Sequence, residues 1–346
     1  MPHKLALIGF GTVGQGLAEI LRDKGNIIRD SLGFETQIVA VTTLSRGALY
    51  HPNGLDVGQL LEAINNRNTL TDYPDTPGLE RGWDSLKTIR ESNADTIIEV
   101  SYTNIETGQP TIDYCRAAFT SGKNVVTTNK GPTALAYAEL SALAEKNGVR
   151  WAFEGTVMSG TPALRLPLAT LTGNAIGEVR GIFNGTTNYI LTKMEEGMDY
   201  QAALTQAQKL GYAEADPTAD VEGYDALAKV IILANVVMNV PLTKEEVACQ
   251  GISGLTLADI ERARAEGKRW KLIGRIKKEG MQVVASVAPE MVPLADPLAS
   301  VMGATNAITY DCDLAGPITL VGAGAGRIET GFSILIDLIN MERGNI

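Results

Sequence analysis

Along the first 155 or so residues, short apolar runs alternate with amphipathic stretches, the order that a parallel sheet with helical crossovers requires. "KLALIG" predicts a strand, "TVGQGLAEILRD" an amphipathic helix, and "TQIVAVTT" a second strand after a loop. Residues 50–80, with Pro52, Pro74, Pro77 and several glycines, interrupt this alternation as an insertion carrying one short helix around "VGQLLEAI". Then "SLKTIRES" predicts a helix, "DTIIEVS" a strand, "GQPTIDYCRAAFTSG" a helix and "NVVTT" a strand. A further helix, "ALAYAELSALAEKNG", leads into a strand at "VRWAFEG".

After about residue 155 the pattern changes to the Gly- and Thr-rich "GTVMSGTPALRLPLATLTGNAIGEVRGIFNGTTNYIL", which marks a change of domain. Helical stretches follow near 187–197, 200–210, 223–239 and 256–268, then strands at "KLIGRIKK" and "QVVASVAPEMV". The tail "ITLVGAGAGRIETGFSILIDLIN" reads as strand, glycine loop and helix. A chain of 346 residues exceeds what one hydrophobic core usually serves. The expected class is therefore α/β, a doubly wound parallel sheet of Rossmann type, plus a second domain.

Charge narrows the function. A formal net charge of −10 and a pI near 4.9 leave no basic face for nucleic acid. A small anionic ligand needs only a few local cations and amides. The longest apolar stretch, "KVIILANVVMNVPL", is too short for a membrane span and reads as a buried helix. "MPHKLALIGFG" lacks the form of a signal peptide. Cys115, Cys249 and Cys312 are widely spaced, odd in number and without a CxxC pair, which suits a reducing cytoplasm.

Three places carry candidate chemistry. The GxGxxG at Gly9, Gly11 and Gly14 directly follows a strand and opens a helix, so Gly9 permits the tight turn and Gly11 lets backbone approach a pyrophosphate. A site preferring NAD usually has Asp or Glu near the end of the second strand; here "VTTLSRG" supplies Thr43, Ser45 and Arg46. Arg46 suits a 2′-phosphate, hence NADP with NAD as the alternative, unless it is only a solvated loop cation. In "LGYAEADPTADVEGYDALAKVIILANVVMNV", Asp225 and Lys229 share a helix face. Such a pair is commonly a surface salt bridge, but apolar residues cover nearly every face of this helix, so its charges would line a crevice where lysine can serve as general acid. Glu214, Asp216 and Asp220 stand just upstream, suited either to holding an ammonium group or to capping the helix near Gly223. Lys130 follows "NVVTTN" at the carboxyl edge where open parallel sheets bind ligands, either as a functional group or as a solvated turn lysine.

The ordered blocks "IGFGTVGQG", "TTNKGPTA", "FEGTVMSGTP", "NGTTNYILTKM", "LGYAEADPTADVEGYDALAK", "GISGLTLADI" and "VGAGAGRIETGFSILIDL" resemble homoserine dehydrogenase over almost the whole chain. That resemblance implies reversible nicotinamide-dependent reduction of L-aspartate 4-semialdehyde to L-homoserine, a step toward threonine, methionine and isoleucine. It assigns cofactor contacts to Gly9, Gly11, Thr12, Val13, Gly14, Arg46, Ser101, Lys130, Gly324 and Thr330. Lys229 matches the catalytic lysine, acting with Lys130 and Asp225, while Glu214, Asp220, Asp225, Gly185 and Thr186 match substrate-binding positions. A monovalent cation, usually sodium, is implied at Glu154, Val157, Ser159 and Thr161, mostly through carbonyls that leave no mark in a sequence.

The same resemblance implies a homodimer and a discontinuous nucleotide domain, residues 1–153 with 317–346, around a catalytic and dimerisation domain at 154–316 with α+β structure. An end at Ile346 leaves no room for the C-terminal regulatory ACT domain of many relatives, so feedback inhibition by threonine through it is not expected. Gly131 and Pro132 and the long 50–80 insertion depart from the family pattern without touching a proposed catalytic side chain. Two rivals are another amino-acid or opine dehydrogenase and a catalytically silent nucleotide sensor; the latter has no need of a proton donor.

Overall fold

A computed structural model describes residues 1–280 and 282–345. The chain divides into two compact units, one comprising residues up to Thr156 and again from Gly326 onward, the other Val157–Ala325.

In the first unit β1 (His3–Ile8) enters α1 (Thr12–Leu32) through the glycine turn, followed by β2 (Thr36–Thr42), β3 (Ala48–Tyr50), α2 (Val57–Arg67) and β4 (Glu80–Arg81). Then come α3 (Ser85–Glu91), β5 (Thr96–Glu99), α4 (Thr111–Thr120), β6 (Asn124–Thr127), α5 (Lys130–Leu135), α6 (Tyr137–Lys146) and β7 (Trp151–Ala152). These strands form one sheet in the order β4-β3-β2-β1-β5-β6-β7. β1 pairs in parallel with both β2 and β5, so the strand order reverses there, the position at which doubly wound sheets bind ligands. Leu5, Leu7, Ile97, Ile98, Val125 and Val126 are fully buried, which is why the central strands read as unbroken apolar runs.

The 50–80 segment holds more than the one helix expected of it. β3 and β4 add an antiparallel edge to the sheet, and runs of two or three residues are too short for alternation to reveal them. Asp56 and Asp84 cap the following helices α2 and α3 by accepting from the backbone N–H of Gln59 and Lys87.

The second unit contains α7 (Arg165–Thr170), β8 (Ile176–Ile182), α8 (Gly185–Glu195), α9 (Tyr200–Lys209), α10 (Thr218–Val221), α11 (Tyr224–Val236) and β9 (Val247–Cys249). It continues with α12 (Leu257–Ala265), β10 (Lys268–Glu279), β11 (Gln282–Pro293), β12 (Thr305–Cys312) and β13 (Gly316–Ala323). The sheet order is β13-β12-β8-β10-β11-β9, antiparallel except where β9 pairs with β11. Central β8, "IGEVRGI", was not expected as a strand because its charges point to ionic partners: Glu178 pairs with Arg275, and Arg180 with Asp296 at 2.7 Å. Gly181 and Gly274 open room for the Phe183 ring; a Cβ at either would lie 2.5 Å from a ring carbon.

The chain returns to the first unit as α13 (Arg327–Glu342). Return was expected from residue 317; instead β13 pairs with β12 along its whole length, from Cys312↔Gly316 to Thr305↔Ala323, and so belongs to the second sheet. α13 crosses α1 closely: a Cβ on Gly16 would stand 2.0 Å from the Arg327 carbonyl oxygen. A two-bond ion pair from Arg327 to Glu19, at 2.6 and 3.0 Å, ties the same crossing.

Candidate functional site

In the first unit the glycine turn has the form a dinucleotide phosphate needs. Gly9 adopts φ +105°, and a Cβ there would sit 2.4 Å from the Val100 carbonyl oxygen, so no other residue fits. A Cβ on Gly14 would fall 2.8 Å from Gly9 O, whereas one on Gly11 would meet nothing within 4 Å. Gly11 is the N-cap of the 21-residue α1 and brings no side-chain cap, so the amides of the first turn are left for an anion. Thr12 is exposed and Val13 half-buried beside this opening. Arg46 is half-buried and its Nη1 reaches toward the Phe10 carbonyl of the turn at 3.5 Å. Its backbone N–H donates to Thr43 Oγ1 at 2.8 Å, and Ser45 beside it is exposed.

Next to this turn, Ser101 donates through its hydroxyl (2.5 Å) and its backbone N–H (3.1 Å) to Glu99 Oε1. Lys130 opens α5 and is half-buried, immediately after Asn129, whose Nδ2 donates to Glu99 Oε2 at 2.6 Å. Sequence reasoning missed Glu99; the available signal was a carboxylate ending the apolar strand "TIIE". Burial pushes its carboxyl pKa up, opposed by hydrogen bonds from Ser101, Asn129 and Thr127. Thr330 is buried within α13.

In the second unit Lys229 is only 6% exposed. Its ammonium donates to Asp225 Oδ2 and to the Phe183 carbonyl oxygen, both at 2.6 Å. The surface salt bridge reading therefore fails: most of α11 around this pair is buried. Asn184 connects the acids. Its Nδ2 donates to Asp220 Oδ1 at 2.7 Å and Asp225 Oδ2 at 2.9 Å, while its Oδ1 caps α8 by accepting from Thr187 N–H at 2.9 Å. Burial and the neighbouring Asp225 charge push the Asp220 carboxyl upward, against the hydrogen bond from Asn184 and the Lys229 charge. Asn184 and the Phe183 carbonyl were also missed; only the Asn before an apolar helical run hinted at the former.

Not every expected residue joins this cluster. Glu214 is exposed, and the bond described for it is made by its backbone carbonyl, which accepts from Gln208 Nε2 at 3.0 Å. Asp216 turns away to accept from Thr218 N–H at 3.1 Å, just ahead of α10, and Gly223, not a carboxylate, is the N-cap of α11. Gly185 and Thr186 open α8 beside Asn184; Thr186 Oγ1 donates to the Tyr212 carbonyl at 2.6 Å. A Cβ on Gly324 would lie 2.2 Å from Asn306 Nδ2. The buried Asn306 amide has no hydrogen-bond partner at either polar atom among the described residues.

The positions expected for a cation are mostly buried. Glu154 opens a 3-10 turn, and its backbone N–H donates to Asp337 Oδ2 at 2.9 Å within the first unit. In the second unit Val157 and Ser159 are buried, Met158 and Ser159 take φ of +57° and +53°, and Thr161 N–H closes the turn onto Met158 O at 3.0 Å. Among the described residues no cluster of three or more His, Cys, Asp or Glu side chains is placed to hold a metal ion. No described helix is long and apolar enough to cross a membrane.

Two family models match the chain: the NAD-binding domain of homoserine dehydrogenase over residues 9–154 and homoserine dehydrogenase over 162–339. The chain is 44% identical to an NAD(+)-dependent homoserine dehydrogenase of Pseudomonas canavaninivorans, across 99% of this chain and 96% of the relative. It superposes on a solved candidate homoserine dehydrogenase of Archaeoglobus fulgidus with a TM-score of 0.88 and 37% identity, covering 98% and 99% of the two chains. A hyperthermophilic archaeal homoserine dehydrogenase mutant in complex with NADPH gives a TM-score of 0.85 at 29% identity, covering 99% of this chain and 98% of that one.

Proposed function

The chain belongs to the homoserine dehydrogenase family, oxidoreductases that act on a CH–OH group, and on that premise we propose that Lys229 exchanges the proton of the substrate's carbinol oxygen as L-aspartate 4-semialdehyde and L-homoserine interconvert. The observation that carries this reading is the buried Lys229 ammonium, 2.6 Å from Asp225 and from the Phe183 carbonyl. Reduction of a carbonyl leaves an alkoxide, so the chemistry needs a fixed acid, and an adjacent carboxylate keeps a buried lysine charged and aimed. Asp220 and Asp225 receive the substrate ammonium, while Gly185 and Thr186 offer the first amides of α8. Burial and the Asp225 charge disfavour the ionised form of Asp220, and a cation bound beside it relieves that cost.

A nicotinamide dinucleotide, when bound, supplies or accepts the hydride. Gly9, Gly11, Thr12, Val13 and Gly14 hold its phosphates, with Ser101, Lys130 and Thr330 serving it in the same unit. Arg46 at the glycine turn favours NADP. The name of the Pseudomonas relative favours NAD as the second reading. Rates with both dinucleotides on wild type and Arg46→Ala decide this: the substitution should lower kcat/KM for NADP about tenfold or more and barely alter NAD. A wild-type preference for NAD refutes the role given to Arg46.

The same reading includes sodium at the turn through Val157, Ser159 and Thr161, a homodimer and a cytoplasmic location, the last supported by the free thiols Cys115, Cys249 and Cys312. Rates unaffected by replacing sodium with choline, or a monomer by light scattering, would remove the first two; membrane or periplasmic recovery in cell fractionation would remove the third. The central test is Lys229→Ala. A positioned general acid contributes about 10²–10⁴ in rate, so kcat should fall by that order while dinucleotide affinity stays unchanged. Near-normal turnover would exclude Lys229 as the acid.

A further inference from the structure

Glu99 is the last residue of β5 and lies opposite Ile8 of β1, one position before Gly9. It stands where the sheet order reverses, and its side chain is wholly buried. Its Oε1 accepts from the N–H and hydroxyl of Ser101 at 3.1 and 2.5 Å. Its Oε2 accepts from Thr127 Oγ1 at 3.1 Å and Asn129 Nδ2 at 2.6 Å. The Asn129 amide also donates to the Ser101 carbonyl at 2.9 Å, so Glu99, Ser101 and Asn129 close a ring that joins the loop after β5 to the loop after β6. Gly9 rests on the same backbone: a Cβ there would be 2.4 Å from Val100 O and 2.8 Å from Ser101 N.

A buried carboxylate is costly, and a residue needed only for packing could have been apolar like Ile97 and Ile98 beside it. What the carboxylate achieves is to hold two polar loops through the Ser101 N–H and hydroxyl and the Asn129 amide, and those loops carry Ser101 and, directly after Asn129, Lys130. We propose that Glu99 is a positioning residue for the nicotinamide half of the dinucleotide, locking Ser101 and the Asn129–Lys130 corner against the glycine turn. This rests on the dinucleotide-dependent reading given above.

Glu99→Gln keeps the shape but turns one acceptor into a donor. If the new NH2 faces Asn129, two donors oppose each other; if Asn129 flips, its oxygen faces the Ser101 carbonyl; if the NH2 faces Ser101 instead, it opposes the Ser101 N–H. Every orientation breaks a bond of the ring. The expected result is a 10–100-fold lower kcat/KM with homoserine and weaker binding of NADPH, with affinity for ADP-ribose, which lacks nicotinamide, held within about twofold. Unchanged kcat/KM, or equal losses for NADPH and ADP-ribose, would overturn the proposal, because a general collapse of the fold does not spare the adenosine half. Asn129→Ala opens the same ring by another route and serves if Glu99→Gln does not fold. Where all variants fold, the double variant should be no worse than the weaker single variant, and additive losses would also overturn it. If the wild type itself does not turn over homoserine, the dehydrogenase reading fails, and the ratio of NADPH to ADP-ribose affinity still tests Glu99.

Discussion

Asn184→Ser isolates the bridge that orients the two acids. Serine keeps an N-cap oxygen for the Thr187 N–H, so α8 retains its start, but both Nδ2 bonds, at 2.7 Å to Asp220 and 2.9 Å to Asp225, are lost. Hydrogen bonds to charged groups are worth about 1.5–3 kcal/mol each, and the partial exposure of both acids lets water replace part of that. A loss of about 1.4–2.8 kcal/mol in transition-state binding corresponds to a 10–100-fold fall in kcat/KM. The folding cost should be smaller, about 1 kcal/mol, because the carboxylates can turn to solvent. There is also a pH signature. Asn184 favours the ionised form of Asp220, whose carboxyl is already pushed up by burial and by Asp225, so removing the donor raises it further. On the proposed reading the ionised acids hold the substrate ammonium, and the acid limb of kcat/KM against pH should then move to higher pH. Steady-state homoserine oxidation across the acid range, with parallel thermal denaturation, measures both effects. A variant with wild-type kcat/KM and an unmoved acid limb would refute the ordering role of Asn184.

Lys271 is wholly buried, donates to Asn188 Oδ1 at 2.9 Å and Val301 O at 2.6 Å, and burial lowers its pKa from 10.5 to about 8. A depressed folded-state pKa contributes stability that is complete above the unfolded value and lost as pH falls through the folded one. Denaturant midpoints should therefore show wild type gaining about 3 kcal/mol over Lys271→Met between pH 8 and 10.5; parallel curves would contradict the shift. Gly16→Ala should destabilise by about 1–3 kcal/mol, since its Cβ meets the Arg327 carbonyl at 2.0 Å. Gly25→Ala on the same helix meets nothing within 4 Å and should instead stabilise by about 0.5–1 kcal/mol. Denaturation curves that rank the two alike would show that the α1–α13 crossing is not as tight as this.

Much of the first unit was legible because its signals are local. A buried parallel strand is an apolar run, a helix start is a glycine turn or an Asp cap, and the GxGxxG is a backbone requirement that Gly9 must meet alone at φ +105°. The second unit was less legible. β8 and β12 went unrecognised, and in β8 the reason is that Glu178 and Arg180 are satisfied by Arg275 and Asp296, residues about a hundred positions away. Of the acids upstream of Lys229 and on its helix, Asp220 and Asp225 are brought together through Asn184 and Asp216 is spent on the Thr218 N–H, a distinction that spacing does not carry.

The sequence by itself determined the alternation that builds a doubly wound sheet, the glycine turn at its first helix, the missing acid after β2 and the Asp225–Lys229 pair on an apolar helix. Each depends on neighbours within a few residues, where backbone geometry and helix period act directly. Only the tertiary structure decided that β13 belongs to the second sheet, that Arg46 reaches back to the glycine turn, that Asn184 bridges two acids and that Glu99 clasps two loops. Those are pairings between residues far apart in the chain. Whether a buried polar group finds its partner depends on how strands and helices are stacked, which the order of residues constrains but does not display.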